Sequence, residues 1–106
     1  MATITIDWDA FGGPYENQQA TLPDARNTFI FDDPGETVSR LVLRVVQGAG
    51  AGAKLATWPS NVFWAGGLPP VLSVSAGDVD IIEFIAFDTG GGVFEYYGSL
   101  FAANII

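Results

Sequence analysis

No stretch of this chain escapes glycine, proline or a β-branched run for long enough to build a helix. Thirteen glycines and six prolines recur every ten residues or so along 106 positions. Each glycine inside a helix costs about 1 kcal/mol and each proline about 3 kcal/mol relative to alanine. The intervening segments are rich in Val, Ile, Thr, Phe, Trp and Tyr, which suit a pleated, half-buried surface. Short strands at such spacing predict an all-β fold, a sandwich or barrel. The specific expectation is one domain over residues 1–106, an antiparallel β-sandwich of jelly-roll type.

Individual strands follow from alternation. Ile4, Ile6 and Trp8 alternate with Thr3, Thr5, Asp7 and Asp9, so strand one has a buried and a wet face. Residues 15–22 form a more polar strand suited to an edge or an interface. Asn27 to Phe31 is next, followed by Asp32-Asp33-Pro34-Gly35, a turn in which Pro fixes φ and Gly supplies a positive one. In the strand from Val38 to Gln47, Leu41, Leu43 and Val45 form one face. Arg40, Val42, Arg44 and Val46 form the other, mixing charge with bulk as subunit contacts do. Lys54 to Trp58 and Val62 to Trp64 are short strands. Val79 to Phe87 is apolar on both faces and is predicted to lie centrally or under a neighbouring subunit. A glycine turn at Gly90-Gly91-Gly92 leads into Val93 to Tyr97, and Leu100 to Ile106 forms a last strand.

Composition limits function. Nearly half the residues are apolar (49%) and only 15% are charged, against about 25% in an ordinary soluble domain. A chain of this length buries only roughly two-thirds of its unfolded surface, so burial between subunits of a symmetric homo-oligomer is expected. The net charge of −8, with no basic stripe, disfavours nucleic acid and anionic membranes as partners. It suits solubility or a basic protein partner. Without cysteine or histidine, the chain lacks thiolate ligands, the commonest general base and the commonest transition-metal ligand. The N-terminal residues lack a signal-peptide pattern, and synthesis and folding in a cytoplasm are expected.

Candidate chemistry fails for lack of context. Gly48-Ala49-Gly50-Ala51-Gly52-Ala53 satisfies a dinucleotide fingerprint formally, but that motif works at a helix N-terminus, and a strand-like segment stopped by Pro59 follows. The pairs Asp7/Asp9, Asp32/Asp33 and Asp78/Asp80 offer carboxylates without the dense oxygen series that calcium needs. Their facing across a sugar, as a glycosidase requires, is not readable from sequence. Serines 39, 60, 73, 75 and 99 have no histidine to activate them. Catalytic, cofactor and metal sites are therefore expected to be absent, and the chain is not expected to be an enzyme. The aromatic residues Trp58, Phe63, Trp64, Tyr96 and Tyr97 fit either core and interface packing or a sugar-stacking surface, packing being favoured. Phe84, Ile85, Phe87, Phe94 and Tyr96 are the expected residues of core or intersubunit packing.

The segment Trp58-Pro59-Ser60-Asn61-Val62-Phe63-Trp64-Ala65-Gly66-Gly67-Leu68-Pro69-Pro70-Val71-Leu72 resembles a stretch found in structural proteins of tailed bacteriophages. It is followed, as in that family, by Ala76-Gly77-Asp78-Val79-Asp80, an apolar strand ending at Phe87, a glycine turn and Tyr97-Gly98. Upstream, Leu41 to Gln47 is similar to the family's segment before a glycine loop. The resemblance implies a β-rich module of tail-fibre ends and other virion surface proteins, usually trimeric. In physical terms, Trp58, Pro59, Trp64, Gly66, Gly67 and Pro69 form a shape-fixing motif. Proline ends a strand, the tryptophans supply large apolar faces, and the glycines permit a reversal.

The chain starts at its first strand, without a fibre shaft, and the expectation is a capsid decoration (cement) protein on the virion surface. It would bind itself, as a homotrimer, and the major capsid protein or a tail protein. The alternative is a receptor-binding tail or fibre-tip module that holds host surface glycans.

Overall fold

The computed structural model describes residues 2–8, 15–32, 38–50 and 52–103, and of residues 15–18, 38 and 39 it describes the backbone only. Eight strands form among them, and no α-helix: β1 (Ala2–Asp7), β2 (Tyr15–Leu22), β3 (Arg26–Asp32), β4 (Val38–Gln47), β5 (Leu55–Thr57), β6 (Val62–Trp64), β7 (Val79–Asp88) and β8 (Phe94–Ala102). A single 3₁₀ turn at Ala65–Gly67 follows β6. The expected strand Leu100 to Ile106 is instead the far half of β8, continuous through Gly98 as far as Ala102. Residues 104–106 lie outside the described residues, as do Asp9, Asp33, Pro34 and Gly35.

The strands form two sheets, one in the order β1-β3-β5 and the other in the order β2-β4-β7-β8-β6. An antiparallel jelly roll is not what the register shows. The three-stranded sheet is parallel throughout, and the five-stranded one is mixed. β4, β7 and β8 pair antiparallel at its centre, while β2 and β6 join its two edges in parallel. The reason lies in the connections. From β1 to β5 every connection carries the chain from one sheet to the other, so each strand is paired with the strand two steps back and runs with it. Among the described strands only β7 and β8 are consecutive and paired as a hairpin. Its turn is held by Asp88 Oδ1, which accepts from Gly90 N at 2.8 Å, and by Thr89 N donating to Val93 O at 2.8 Å.

The polar strand β2 occupies an edge and the doubly apolar β7 the centre of the larger sheet, in each case one of the two placements its sequence allows. Alternation also holds: Leu41, Leu43 and Val45 are buried while Arg40, Val42, Arg44 and Val46 are half-exposed. The core lies where the sheets meet. Ile6 and Phe29 from the parallel sheet, with Trp8 just after β1, share one buried cluster with Leu41, Leu43, Ile82, Phe84 and Tyr96 from the mixed sheet. Burying a large apolar side chain contributes about 1.5–3 kcal/mol, and residues of both sheets share this cluster.

Buried polar side chains tie the crossings down. The Gln47 amide grips the backbone of Lys54, donating to its carbonyl at 3.0 Å and accepting from its N–H at 2.9 Å. Asn27 donates to Leu55 O at 3.0 Å and to Asp24 O at 2.9 Å, which fastens β3 to β5 and to the turn before it. Both side chains are buried, and pairing removes the cost of about 1–3 kcal/mol that an unmet buried polar group carries.

Candidate interaction surfaces

The tryptophan motif is built around Phe84. Trp58 stacks on Phe29 of β3 with ring centroids 4.4 Å apart and planes 12° from parallel. It meets Trp64 edge-on at 5.4 Å, and both rings touch Phe84, at 5.6 and 5.5 Å. Phe31 approaches the same ring at 5.2 Å and Trp8 at 6.4 Å. Phe84 is thus the point at which β3, β6, β7 and the segment after β1 converge. Pro59 accepts from Val62 N at 3.1 Å, closing the turn between the two tryptophans. Asn61 ties this turn to β8, its Nδ2 donating to Phe94 O at 3.1 Å while its carbonyl accepts from Tyr96 N. Gly66 and Gly67 have φ of +82° and +86°, a region that side-chain-bearing residues rarely occupy. Pro69 and Pro70 lead the chain away as one wall of a cleft.

Strand parity divides the expected packing residues. Phe84, Phe94 and Tyr96 are buried. Ile85 is half-buried and Phe87 is 47% exposed, both on the opposite face of the mixed sheet. The expected sugar-stacking set divides in the same way. Tyr96 is in the core, and Trp58 and Trp64 are partly buried against it. Phe63 and Tyr97 remain outside, 50% and 43% exposed, adjacent by register and with rings 5.9 Å apart. A depression of about 300 Å³ beside them is lined by Phe63, Trp64, Glu83, Ile85, Tyr97 and Ser99. The Tyr97 hydroxyl donates to Glu95 Oε1 at 2.6 Å. That hydrogen bond, with some desolvation and the carboxylate's charge, raises the phenol above its ordinary value of 10.0.

The outer face of the mixed sheet also carries Arg40, Arg44, Val42 and Ile81. Arg40 pairs with Glu83 at 3.6 Å, and Arg44 donates to Gln19 Oε1 at 2.5 Å. A second apolar area lies along β5, at the edge of the parallel sheet. There a cleft of about 470 Å³ runs between Leu55–Trp58 and the Pro69–Leu72 segment, with Arg26 and Lys54 in its lining. Leu55, Val71 and Val74 in its lining are all exposed.

The acidic pairs are separated by the fold. Asp7 and Asp32 are exposed and paired in register at the ends of β1 and β3, while their sequence neighbours Asp9 and Asp33 lie outside the described residues. Asp80 is buried and accepts from both the backbone N and the hydroxyl of Ser73, each at 2.7 Å. Asp78 accepts from Ser75 N at 3.0 Å. These two carboxylates hold the segment before β7 in place, a role that spacing alone does not reveal. Among the described residues no three His, Cys, Asp or Glu side chains gather as a metal site would require. The element that follows the glycine-alanine run is the strand β5, whereas a dinucleotide fingerprint leads into a helix N-terminus.

Compared with protein-family models, with curated proteins and with solved structures, the chain matches none.

Proposed function

We propose that this chain is a structural protein of a tailed-bacteriophage particle, a capsid decoration subunit that works as a homo-oligomer. The observation that carries the reading is an aromatic and aliphatic outer sheet face, with Phe63, Phe87 and Tyr97 exposed, in a chain without histidine or cysteine. Exposed apolar surface in a contiguous patch marks contact with another macromolecule. The motif around Trp58 and Trp64 supports the phage assignment through its resemblance to virion proteins. In this reading the two sheets are the layers of a β-sandwich, and the particle gains stability because apolar faces join subunits that bridge neighbouring capsid proteins.

The test is location and copy number. Quantitative mass spectrometry of purified particles, with imaging of a labelled chain, is expected to find hundreds of copies over the capsid. Absence from the particle overturns the proposal. A handful of copies confined to the tail favours a second reading, a receptor-binding module. For that reading the supporting observation is the Phe63–Tyr97 ring pair beside a depression with Glu83 and Ser99, a geometry on which a sugar ring can stack and hydrogen-bond. Binding to a glycan array or to whole host cells, lost in Phe63→Ser, is its signature.

A further inference from the structure

We infer that the outer face of the mixed sheet is a self-complementary contact that joins this chain to a second copy of itself around a two-fold axis running along β7. The inference rests on the homo-oligomer reading and names its surface. The first argument is charge. Two of the chain's four basic residues, Arg40 and Arg44, sit on this face through β4, and two acids, Glu83 on β7 and Glu95 on β8, sit beside them. Among the described side chains the two signs balance on this face, against a net charge of −8 for the chain. Two copies of an acidic molecule meet with least repulsion through such a face.

The arrangement of those charges selects the axis. β7 is the central strand, with basic β4 on one side and β8 on the other. Rotation by half a turn about a line parallel to β7 lays the β4 of one copy over the β8 of its partner. Strand levels are kept by this operation. Arg40 is level with Ile85, and Glu95 with Phe87 two residues along. The offset is about 7 Å, within reach of an arginine and a glutamate. The same contact occurs twice, as a two-fold demands. Glu83, on β7 itself, comes near its own copy across this axis, and each is offset by the Arg40 of its own chain at 3.6 Å. An axis across the strands would instead set β4 against β4 and arginine against arginine.

Area and composition agree. Five strands about 4.8 Å apart and up to ten residues long span roughly 20 by 30 Å. With its side-chain relief such a face approaches the scale of stable interfaces, about 800 Å² per partner. Ile81, Ile85 and Phe87 line β7 about Glu83, and Tyr97 and Phe63 extend the apolar surface from Ile85 to the β6 edge. Arg40, Arg44 and Glu95 stand on the flanking strands, so apolar area predominates with most charges off the central strand.

Sedimentation velocity at micromolar concentration tests the inference. The wild-type chain is expected at twice 11.2 kDa, and Ile85→Asp at the single mass with an unchanged far-ultraviolet spectrum. If Ile85→Asp does not fold, Phe63→Ser at the margin replaces it. Arg40→Glu and Glu95→Arg are each expected to weaken association about tenfold, and their combination to restore it. Val71→Ser, in the β5 cleft, leaves association unchanged. A wild-type chain that stays monomeric overturns both the oligomer reading and this face. An oligomer indifferent to Ile85→Asp and Phe63→Ser, or one of three times the mass, overturns the face and leaves the oligomer reading standing.

Discussion

At the scale of single residues, Gly98 carries more of the motif than its size suggests. It stands opposite Trp64 in the β6–β8 register. A Cβ at this position would lie 2.6 Å from Trp64 Cζ3 and 3.0 Å from Phe84 Cε1. Glycine lets the indole lie flat on β8, so the Tyr97-Gly98 pair and the second tryptophan form one packing unit although they are far apart in sequence. Gly98→Ala is expected to cost about 1–3 kcal/mol through overpacking. The cost should shrink when Trp64 is also replaced by a smaller residue, as urea unfolding of the single and double variants will read. Tyr97, next to it, points the other way and provides a titration. Its phenol is raised by the bond to Glu95, so whatever stability the pair contributes is present below the unfolded value and is lost as pH climbs through the folded one. Ultraviolet difference titration should show a tyrosine ionising later than ordinary, and Glu95→Ala should return it to the usual range.

At the scale of elements, the segment between the 3₁₀ turn and β7 has no regular structure of its own and depends on Asp80. That carboxylate, buried in β7, accepts two hydrogen bonds from Ser73. Asp80→Ala removes both acceptor oxygens and leaves the Ser73 N–H and hydroxyl without them, a loss of about 1–3 kcal/mol. Limited proteolysis should then cut within residues 68–77 faster than in the wild type, while the β-sheet circular dichroism persists. The existence of the strands was legible in the sequence because alternation writes burial directly, as in Ile4-Ile6-Trp8 and Leu41-Leu43-Val45. The central place of β7 was one of the two that apolar residues on both its faces allow. Strand direction was not legible. Whether Pro23-Asp24-Ala25 folds β2 back onto its own sheet or across to the other depends on side chains such as Asn27, which bonds to Leu55 O 28 positions away. Period-2 patterning is identical in the two cases, so the parallel sheet β1-β3-β5 left no local trace. The candidate surface was partly legible for the same reason. Parity along β4 exposed Val42 and the arginines as an outer row, but the sorting of Tyr96 inward and Tyr97 outward needed the register of β8.

For the whole molecule, charge gives a way to separate contacts between copies from contacts with a particle. The chain carries −8 and has an isoelectric point near 4.1, so two copies repel at any distance beyond the neutral sheet face. Added salt shortens the reach of that repulsion, the Debye length falling from about 30 Å at 0.01 M to about 10 Å at 0.1 M. Association between copies is therefore expected to tighten as salt rises over that range, even though the Arg40–Glu95 contact itself is screened, because the net repulsion acts over the larger volume. Docking onto a basic capsid patch has the opposite sign, since unlike charges gain from low salt. Measuring both on one preparation, the dimer by sedimentation and the docking by co-sedimentation with particles, should give opposite slopes against ionic strength. Two slopes of the same sign would mean that one of the contacts does not use the surface assigned to it. If self-association weakens with salt, complementary charge rather than a neutral apolar face holds the copies together, and the two-fold along β7 has to be replaced by a contact through the acidic exterior and the Arg26–Lys54 cleft.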